Sequence, residues 1–204
     1  MKQHTLRCNC GKLEGKIDLA GSLNRALCYC KDCQAFAHFL GDKDILDAHG
    51  GSDIVQIRPG ALTFTKGSEH LACMRLSPKG MLRWYARCCN TPIGNTPPDY
   101  HLAFVGLIHN CLDHDSTALE QAFGPVRVRV NLGGAKPVNG SMPTSTPLAT
   151  LALFARFGAI MAGARISGSY RKTPFFSAEG EPVVVATVLS KAERKRLVSL
   201  SGKQ

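Results

Sequence analysis

From residue 13 to 19 the chain reads LEGKIDL, with apolar or small residues at the odd positions and charged ones at the even positions. An alternation of period two places one face of a strand in a core and the other in water. Short runs of the same kind follow: IVQIR (54–58), ALTFT (61–65), HLACMRL (70–76), GMLRWYA (80–86), LAFVGLIH (102–109) and VRVRV (126–130). Gly, Pro, Ser and Lys separate them, and regularly spaced short strands predict a mainly β, layered or barrel-like unit over residues 1–130. The period changes once within this unit. Cys33, Phe36, Ala37 and Leu40 share a helical face, so one or two helical turns are expected from Lys31.

Residues 131–147, NLGGAKPVNGSMPTSTP, read as a linker rich in Gly, Pro, Ser and Thr. Thr146 then offers an N-cap and Pro147 a first-turn residue for a helix carrying Leu148, Leu151, Phe154, Phe157 and Met161. That stripe is expected to dock on the β unit as part of a C-terminal helical extension over residues 148–204. Beyond it, RKTPFFSAEGEPVVVATVLSKAER reads as a turn, an aromatic plug, a short strand and a charged helical tail. The most apolar stretch, residues 148–164, carries Arg156 at its middle and falls short of the ~20 apolar residues of a membrane span. No secretory signal is visible behind MKQHTLRCNCG, so a cytoplasmic protein without a membrane segment is expected.

At 204 residues and 44% hydrophobic content the chain can bury a real core. Its 25 Lys and Arg against 15 Asp and Glu give a formal charge of +10, which favours anionic partners in general. Much of that charge lies in the tail, and no basic stripe interleaved with aromatics occurs, so nucleic-acid binding is not expected. No phosphate-binding loop, nucleophile elbow or H-E-x-x-H pattern occurs either.

The nine cysteines change the picture. Seven of them fall in three tight groups: CNC at Cys8 and Cys10, CYCKDC at Cys28, Cys30 and Cys33, and CC at Cys88 and Cys89. Disulfides are rare in the reducing cytosol, and in C-x-C the two sulfurs point to the same side and can grip one ion. Zinc favours such soft anionic sulfur, at about 2.3 Å in a tetrahedron. Seven thiolates around two Zn²⁺ carry a net −3, which turns the formal +10 into +7. The alternatives are buried inert cysteines or a redox set.

C-x-C-G near the start, then C-x-C-x-x-C, then an aromatic-preceded cysteine followed by Thr-Pro-aliphatic, in that order, resemble the glutathione-dependent formaldehyde-activating enzyme family. That family includes the centromere protein V relatives and has a zinc-bearing, mostly β fold of the Mss4-like type. The resemblance spans residues 4–110. The TPFF and EPVVVATVLS segments resemble a branch of the same family with a C-terminal extension. The resemblance implies two zinc ions per chain. Cys8 and Cys10 match two ligands of a structural zinc, and Cys28, Cys30 and Cys33 match the three ligands of a catalytic one. The remaining structural pair, C-x-x-C-G, is broken here. Aligning Cys89-Asn90-Thr91-Pro92-Ile93 on the family pattern leaves Ala86 where a cysteine is expected. Asn90 replaces the glycine, a tolerable change if its backbone is left-handed. Cys88 can supply the missing thiolate beside Cys89 only where a turn or bulge aims both sulfurs to one side.

The implied activity is carbon–sulfur lyase chemistry: glutathione or another thiol adds to formaldehyde or a small aldehyde, and the reverse. A non-catalytic zinc-stabilised binding module and a thiol redox or zinc-buffering protein are the alternatives. Candidates for a fourth ligand beside Cys28, Cys30 and Cys33 are His38, Cys73 and His70. His38, between Phe36 and Phe39, reads rather as a core residue, and Cys73 as a lone thiol. Cys111 beside His109 and His114 reads as a strand end. Trp84 and Tyr85 are expected around the structural zinc. Phe175 and Phe176 are read either as a lid over the open zinc or as helix–sheet packing. Lys31 and Arg25 either attract a glutathione carboxylate or are solvated surface charges.

Overall fold

Eleven strands among the described residues form two sheets, with helices on the outer face of the larger one. The computed structural model describes residues 2–41, 43–112 and 116–201; His114 lies outside them. The smaller sheet joins β1 (Gln3–Arg7), β2 (Glu14–Asp18) and β5 (Leu62–Lys66) in that order, all antiparallel. The larger has the order β10-β3-β4-β9-β8-β7-β6-β11. These are β3 (Ser22–Cys28), β4 (Ser52–Ile57), β6 (Leu71–Arg75), β7 (Leu82–Ala86), β8 (Thr91–Thr96), β9 (Val105–Ile108), β10 (Val128–Val130) and β11 (Thr187–Val188). Pairing is antiparallel except at the edges, where β10 runs parallel to β3 and β11 parallel to β6.

The core lies between the sheets. Leu6, Ile17 and Leu62 meet Val55, Ile57, Trp84, Val105 and Leu107 of the large sheet. The alternation of LEGKIDL is the cause on one side: Leu13, Gly15 and Ile17 are buried while Glu14, Lys16 and Asp18 are not. The second face of the large sheet is covered by α1 (Lys31–Leu40) and α4 (Lys191–Leu200). Phe36, Ala37, Leu40 and Leu197 pack there on Met74, Leu76 and Ile108. Ser190 caps α4 with a reciprocal capping box to Glu193. Because both faces of β6 are covered, Cys73 and Met74 are both buried, in different layers.

The aromatic plug belongs to the inter-sheet core. Phe175 is fully buried, 4.9 Å from the Trp84 ring and 5.7 Å from Phe64. Trp84 donates from Nε1 to Thr96 Oγ1 at 3.0 Å.

The linker and the long helix differ from the sequence expectation. Residues 131–147 are bound to the β unit: Lys136 N–H donates to His49 O and Gln34 Nε2 donates to Gly134 O, while Val138 and Ser141 bridge within the segment. The helix α3 (Pro147–Ser167) starts as expected, with Thr146 Oγ1 accepting from Ala149 N–H and Pro147 in the first turn. Its inner face takes in Phe157 and Met161 of the expected stripe but not the other three residues. Thr150, Leu153, Phe157, Ile160 and Ala164 are half-buried, whereas Leu148, Leu151 and Phe154 are 76%, 66% and 62% exposed. Phe157 meets Phe104 edge-on at 5.8 Å. The helix is 21 residues long, about 31 Å, so by length and apolarity it is long enough to cross a membrane, and none of its most apolar window is buried. The 17-residue stretch bounded from sequence was therefore too short, because Pro147 and the segment after Ala164 continue the same helix.

Candidate metal centres

The four-sulfur cluster is built by two turns brought together from opposite ends of the β unit. Residues 8–13 fold back on themselves: Gly11 N–H donates to Cys8 O, Cys8 N–H donates to Leu13 O, and Leu13 N–H donates to Cys8 Sγ at 3.3 Å. Gly11 takes a φ of 71°, which glycine adopts without strain. Asn9 N–H donates to Thr91 Oγ1 at 2.9 Å and ties this turn to the one at residues 87–90. In that second turn Asn90 has φ 55°, the left-handed backbone its replacement of glycine requires. The turn also aims Cys88 and Cys89 to one side, and all four sulfurs of Cys8, Cys10, Cys88 and Cys89 lie within 4.8 Å of one another. Adjacent pairs stand at 3.6 Å (Cys8–Cys10), 3.8 Å (Cys8–Cys88), 3.3 Å (Cys10–Cys88) and 3.8 Å (Cys88–Cys89). A tetrahedral zinc with sulfurs at about 2.3 Å holds them about 3.8 Å apart, so the donor set and its spacing fit such an ion. The cluster could hold a metal, and Cys88, not Ala86, completes it.

The three-sulfur cluster sits where β3 ends and α1 begins. Cys28 closes β3, and Cys30 is the N-cap of α1, its sulfur accepting from Cys33 N–H at 3.3 Å. The helix N-terminus favours an anion there, which suits a thiolate. Cys28 and Cys33 sulfurs are 3.8 Å apart, and the three sulfurs lie within 4.8 Å of one another. Among the described residues no fourth Cys, His, Asp or Glu joins them. As bare thiols they disfavour ionisation together: hydrogen bonding from Cys28 and burial push Cys33 up to about 11. The Cys30 thiol is drawn down by Cys28, but Cys33 and burial outweigh that and leave it at about 11. Only a cation makes three adjacent thiolates favourable, and this set fits a divalent one.

Two residues that sequence reasoning did not single out complete the surroundings. Arg83, 4% exposed, places Nη1 3.8 Å from Cys33 Sγ and 3.1 Å from Asn95 Oδ1, with its guanidinium over the Phe36 ring. It alternates with Leu82 and Trp84 on β7, and an arginine inside a strand buried on both faces was the available signal. Asn131 donates from Nδ2 to Cys28 Sγ at 3.2 Å. It comes from the segment read as a linker, which Gln34 anchors by donating to Tyr29 O at 2.9 Å and Gly134 O at 2.8 Å. Gly134 is required for that approach: a Cβ would stand 2.0 Å from Tyr29 O.

The other sequence candidates fall elsewhere. His38 and His70 join neither cluster. Cys73 is buried between the sheets, and burial pushes its thiol up to about 12. Cys111 is buried and donates to Ile93 O and Ile108 O. Phe175 and Phe176 pack against Trp84 on the face of the large sheet opposite Arg83, so they form no lid over the three sulfurs. Tyr85 packs on Phe39. Arg25 is committed to a buried ion pair with Asp53 at 2.7 Å and is not available to a carboxylate, while Lys31 is solvent-exposed.

Burial raises Cys89, but the Thr91 hydroxyl and the backbone N–H groups of Cys10 and Thr91 outweigh it and draw this thiol down to about 6.

Against known families, a sequence model of a family of unknown function, DUF6151, matches residues 1–187. The chain belongs to the DUF6151 family. That match takes in both sheets, both cysteine clusters and α3, so the linker and long helix belong to the same DUF6151 unit as the metal centres. No curated protein matches. Among solved structures, a crystal structure of a Rhodobacter sphaeroides protein, a structural-genomics target, is similar over 60% of this DUF6151 chain and 96% of its own, at 18% identity and a TM-score of 0.41.

Proposed function

We propose that this protein is a zinc-dependent carbon–sulfur lyase of the glutathione-dependent formaldehyde-activating type, joining a thiol to a small aldehyde and cleaving the same bond in reverse. Its paired sheets, clamped by the Cys8/Cys10/Cys88/Cys89 cluster, are read as a variant of the Mss4-like fold. The observation that carries the reading is the difference between the clusters: four sulfurs in one, three in the other, with no further protein ligand among the described residues. A closed four-thiolate set is structural, whereas three protein ligands leave a position for a reactant. Nine cysteines without a disulfide suit a reducing compartment such as the cytoplasm.

Cys28, Cys30 and Cys33 would hold the zinc ion, which would supply Lewis acidity to favour a thiolate or polarise a carbonyl. The protein's own residues prepare that site. Cys30 is the N-cap of α1, where the Cys33 N–H donates to its sulfur and would steady it as a thiolate ligand, and Asn131 donates to Cys28 Sγ. Arg83 balances the charge: three thiolates and one divalent ion carry −1, which the guanidinium cancels. In the forward direction the thiol sulfur bonds to the carbonyl carbon, the C=O π pair moves to oxygen, and that oxygen takes up the proton the thiol has lost. The product is a hydroxymethyl thioether when the aldehyde is formaldehyde.

Exchange spectroscopy with glutathione and ¹³C-formaldehyde tests this. The zinc-loaded protein is expected to speed interconversion at least about tenfold over buffer, equivalent to ~1.4 kcal/mol of barrier, and the Cys30→Ser variant is expected not to. Equal rates with both zinc ions present would instead favour a zinc-stabilised binding module, a reading that the exposed apolar face of α3 supports.

A further inference from the structure

Between the large sheet and α3 lies a cavity of about 890 Å³, and Cys28 is part of its wall. Ala26, Ile54 and Phe104 form its floor, and Leu153 and Phe157 of α3 its roof. The strand register shows how it runs. In the β3–β4 pair, Cys28 is opposite Ser52, Ala26 opposite Ile54, and Asn24 opposite Gln56. Alternate residues share one face, so Cys28, Ala26 and Asn24 lie in a row, spanning four residues of strand or roughly 13 Å. One end of the cavity is the three-sulfur cluster, and the other is the Asn24–Gln56 pair.

The far end is polar in a specific way. Asn24 Nδ2 donates to Gln56 Oε1 at 3.0 Å, which fixes the Gln56 amide. Its Nε2, on a residue 6% exposed, has no acceptor among the described residues. Ser145 Oγ, also in the cavity wall, is buried and unpartnered as well. Unpaired buried donors carry a desolvation cost, and in a cavity whose walls are mainly apolar, with Arg129, Asn131 and Thr150 the other polar residues in them, they mark where a ligand's polar end belongs.

We propose that the ligand of this site is a long-chain thiol: its sulfur at the Cys28/Cys30/Cys33 metal, its hydrocarbon chain under α3, and a hydrogen-bond acceptor at its far end against Gln56 Nε2. The inference rests on the open-metal reading of the three cysteines for its sulfur end, and on the cavity alone for the rest. Formaldehyde and other one- or two-carbon molecules would leave nearly all of this space unfilled. Glutathione can still bring its sulfur to the metal, but a hydrocarbon chain complements these mainly apolar walls better than the polar remainder of glutathione does.

The probes are ω-mercaptoalkanols, HS–(CH₂)n–OH, titrated into the full-length protein with cobalt(II) replacing zinc and followed by the visible cobalt absorption. Affinity is expected to rise by about fourfold per methylene from 2-mercaptoethanol upward, then to level off at roughly eight to ten carbons, where the chain spans the strand distance of ~13 Å. Leu153→Trp, which narrows the cavity from a half-buried helix position, is expected to flatten that rise. Gln56→Leu is expected to remove the preference for 8-mercapto-1-octanol over 1-octanethiol. Chain-independent affinity with cobalt bound and 2-mercaptoethanol coordinating would overturn the proposal and leave the metal reading intact. Failure of the three cysteines to take cobalt would overturn the metal reading and with it the thiol end. The cavity is tested apart from any sulfur–metal bond: 1-octanol, which carries no thiol, is expected to bind the zinc-loaded protein by calorimetry and to bind zinc-loaded Leu153→Trp at least fivefold more weakly. Absence of octanol binding would overturn the apolar-chain inference by itself.

Discussion

Cys88→Ser is expected to lower bound zinc from the proposed two ions per chain to one and to lower the melting temperature by about 8–16 °C, the shift for a loss of ~4 kcal/mol in a chain of this size. The magnitude follows from the geometry of the four-sulfur cluster. Its sulfurs come from turns 78 to 81 residues apart along the chain, so the ion joins the first hairpin of the small sheet to the β7–β8 turn of the large one. Binding free energy at such a site is folding free energy, of order 10 kcal/mol or more in small zinc domains. That compares with a total stability of about 5–15 kcal/mol for a typical domain. Serine replaces a soft anionic donor with a neutral hydroxyl, and Cys8, Cys10 and Cys89 are left around a weakened ion. The control is Cys73→Ala, a buried cysteine in neither cluster, which costs packing but leaves two zinc ions bound. Metal analysis and thermal unfolding on both variants check this. Two ions retained in Cys88→Ser would show that the alignment gap at Ala86 is filled by something other than Cys88.

Arg83→Met leaves the four-sulfur site loaded and weakens zinc binding at Cys28, Cys30 and Cys33 by about 10–100-fold, the usual effect of losing an outer-shell partner. The guanidinium is buried, reaches Cys33 Sγ and Asn95 together, and lies over Phe36. Methionine keeps the volume and removes the charge, so the net −1 of three thiolates and one divalent ion stands uncompensated in a buried setting. Protons then compete better for the sulfurs, and the pH at which the ion is released on acidification moves upward. Arg83→Lys restores charge without the planar guanidinium that lies over Phe36 while its Nη1 meets both Cys33 and Asn95, and an intermediate affinity is expected. A competition titration with a chromogenic chelator resolves the two sites. Identical affinities in all three proteins would remove Arg83 from the metal centre.

Much of the β unit was legible because its strands carry one-sided alternation or bulky apolar runs. LEGKIDL, HLACMRL and GMLRWYA contain observed strands, and IVQIR and ALTFT overlap β4 and β5. Three strands were not legible, each for a physical reason. β1 (QHTLR) offers a single buried apolar residue, Leu6. β3 (SLNRALC) buries Asn24 and Arg25, whose partners Gln56 and Asp53 lie on β4 and are invisible to a local pattern. β8 (TPIGNT) begins Thr-Pro and holds Gly94, where a Cβ would meet Gly106 O at 2.7 Å. The cysteines were legible as three tight groups able to hold metal, the spacing within Cys28, Cys30 and Cys33 marked that group, and the family resemblance put Cys88 and Cys89 beside Cys8 and Cys10. What spacing could not carry was the support. Arg83 and Asn131 arrive from 50 and 103 residues away, through sheet pairing and through a segment whose Gly and Pro content resembles a loose connection. The docking face of α3 was misjudged because the helix is apolar nearly all round, so no stripe in the sequence tells inside from outside.

The most direct test is cadmium NMR of the protein loaded with ¹¹³Cd at both centres. Two resonances are expected, one for each cysteine cluster. On addition of 2-mercaptoethanol only one should move, and that same resonance should be missing from Cys30→Ser. Two resonances that both ignore the added thiol would mean that each ion is already saturated by protein donors, and the open centre at Cys28, Cys30 and Cys33 would be contradicted.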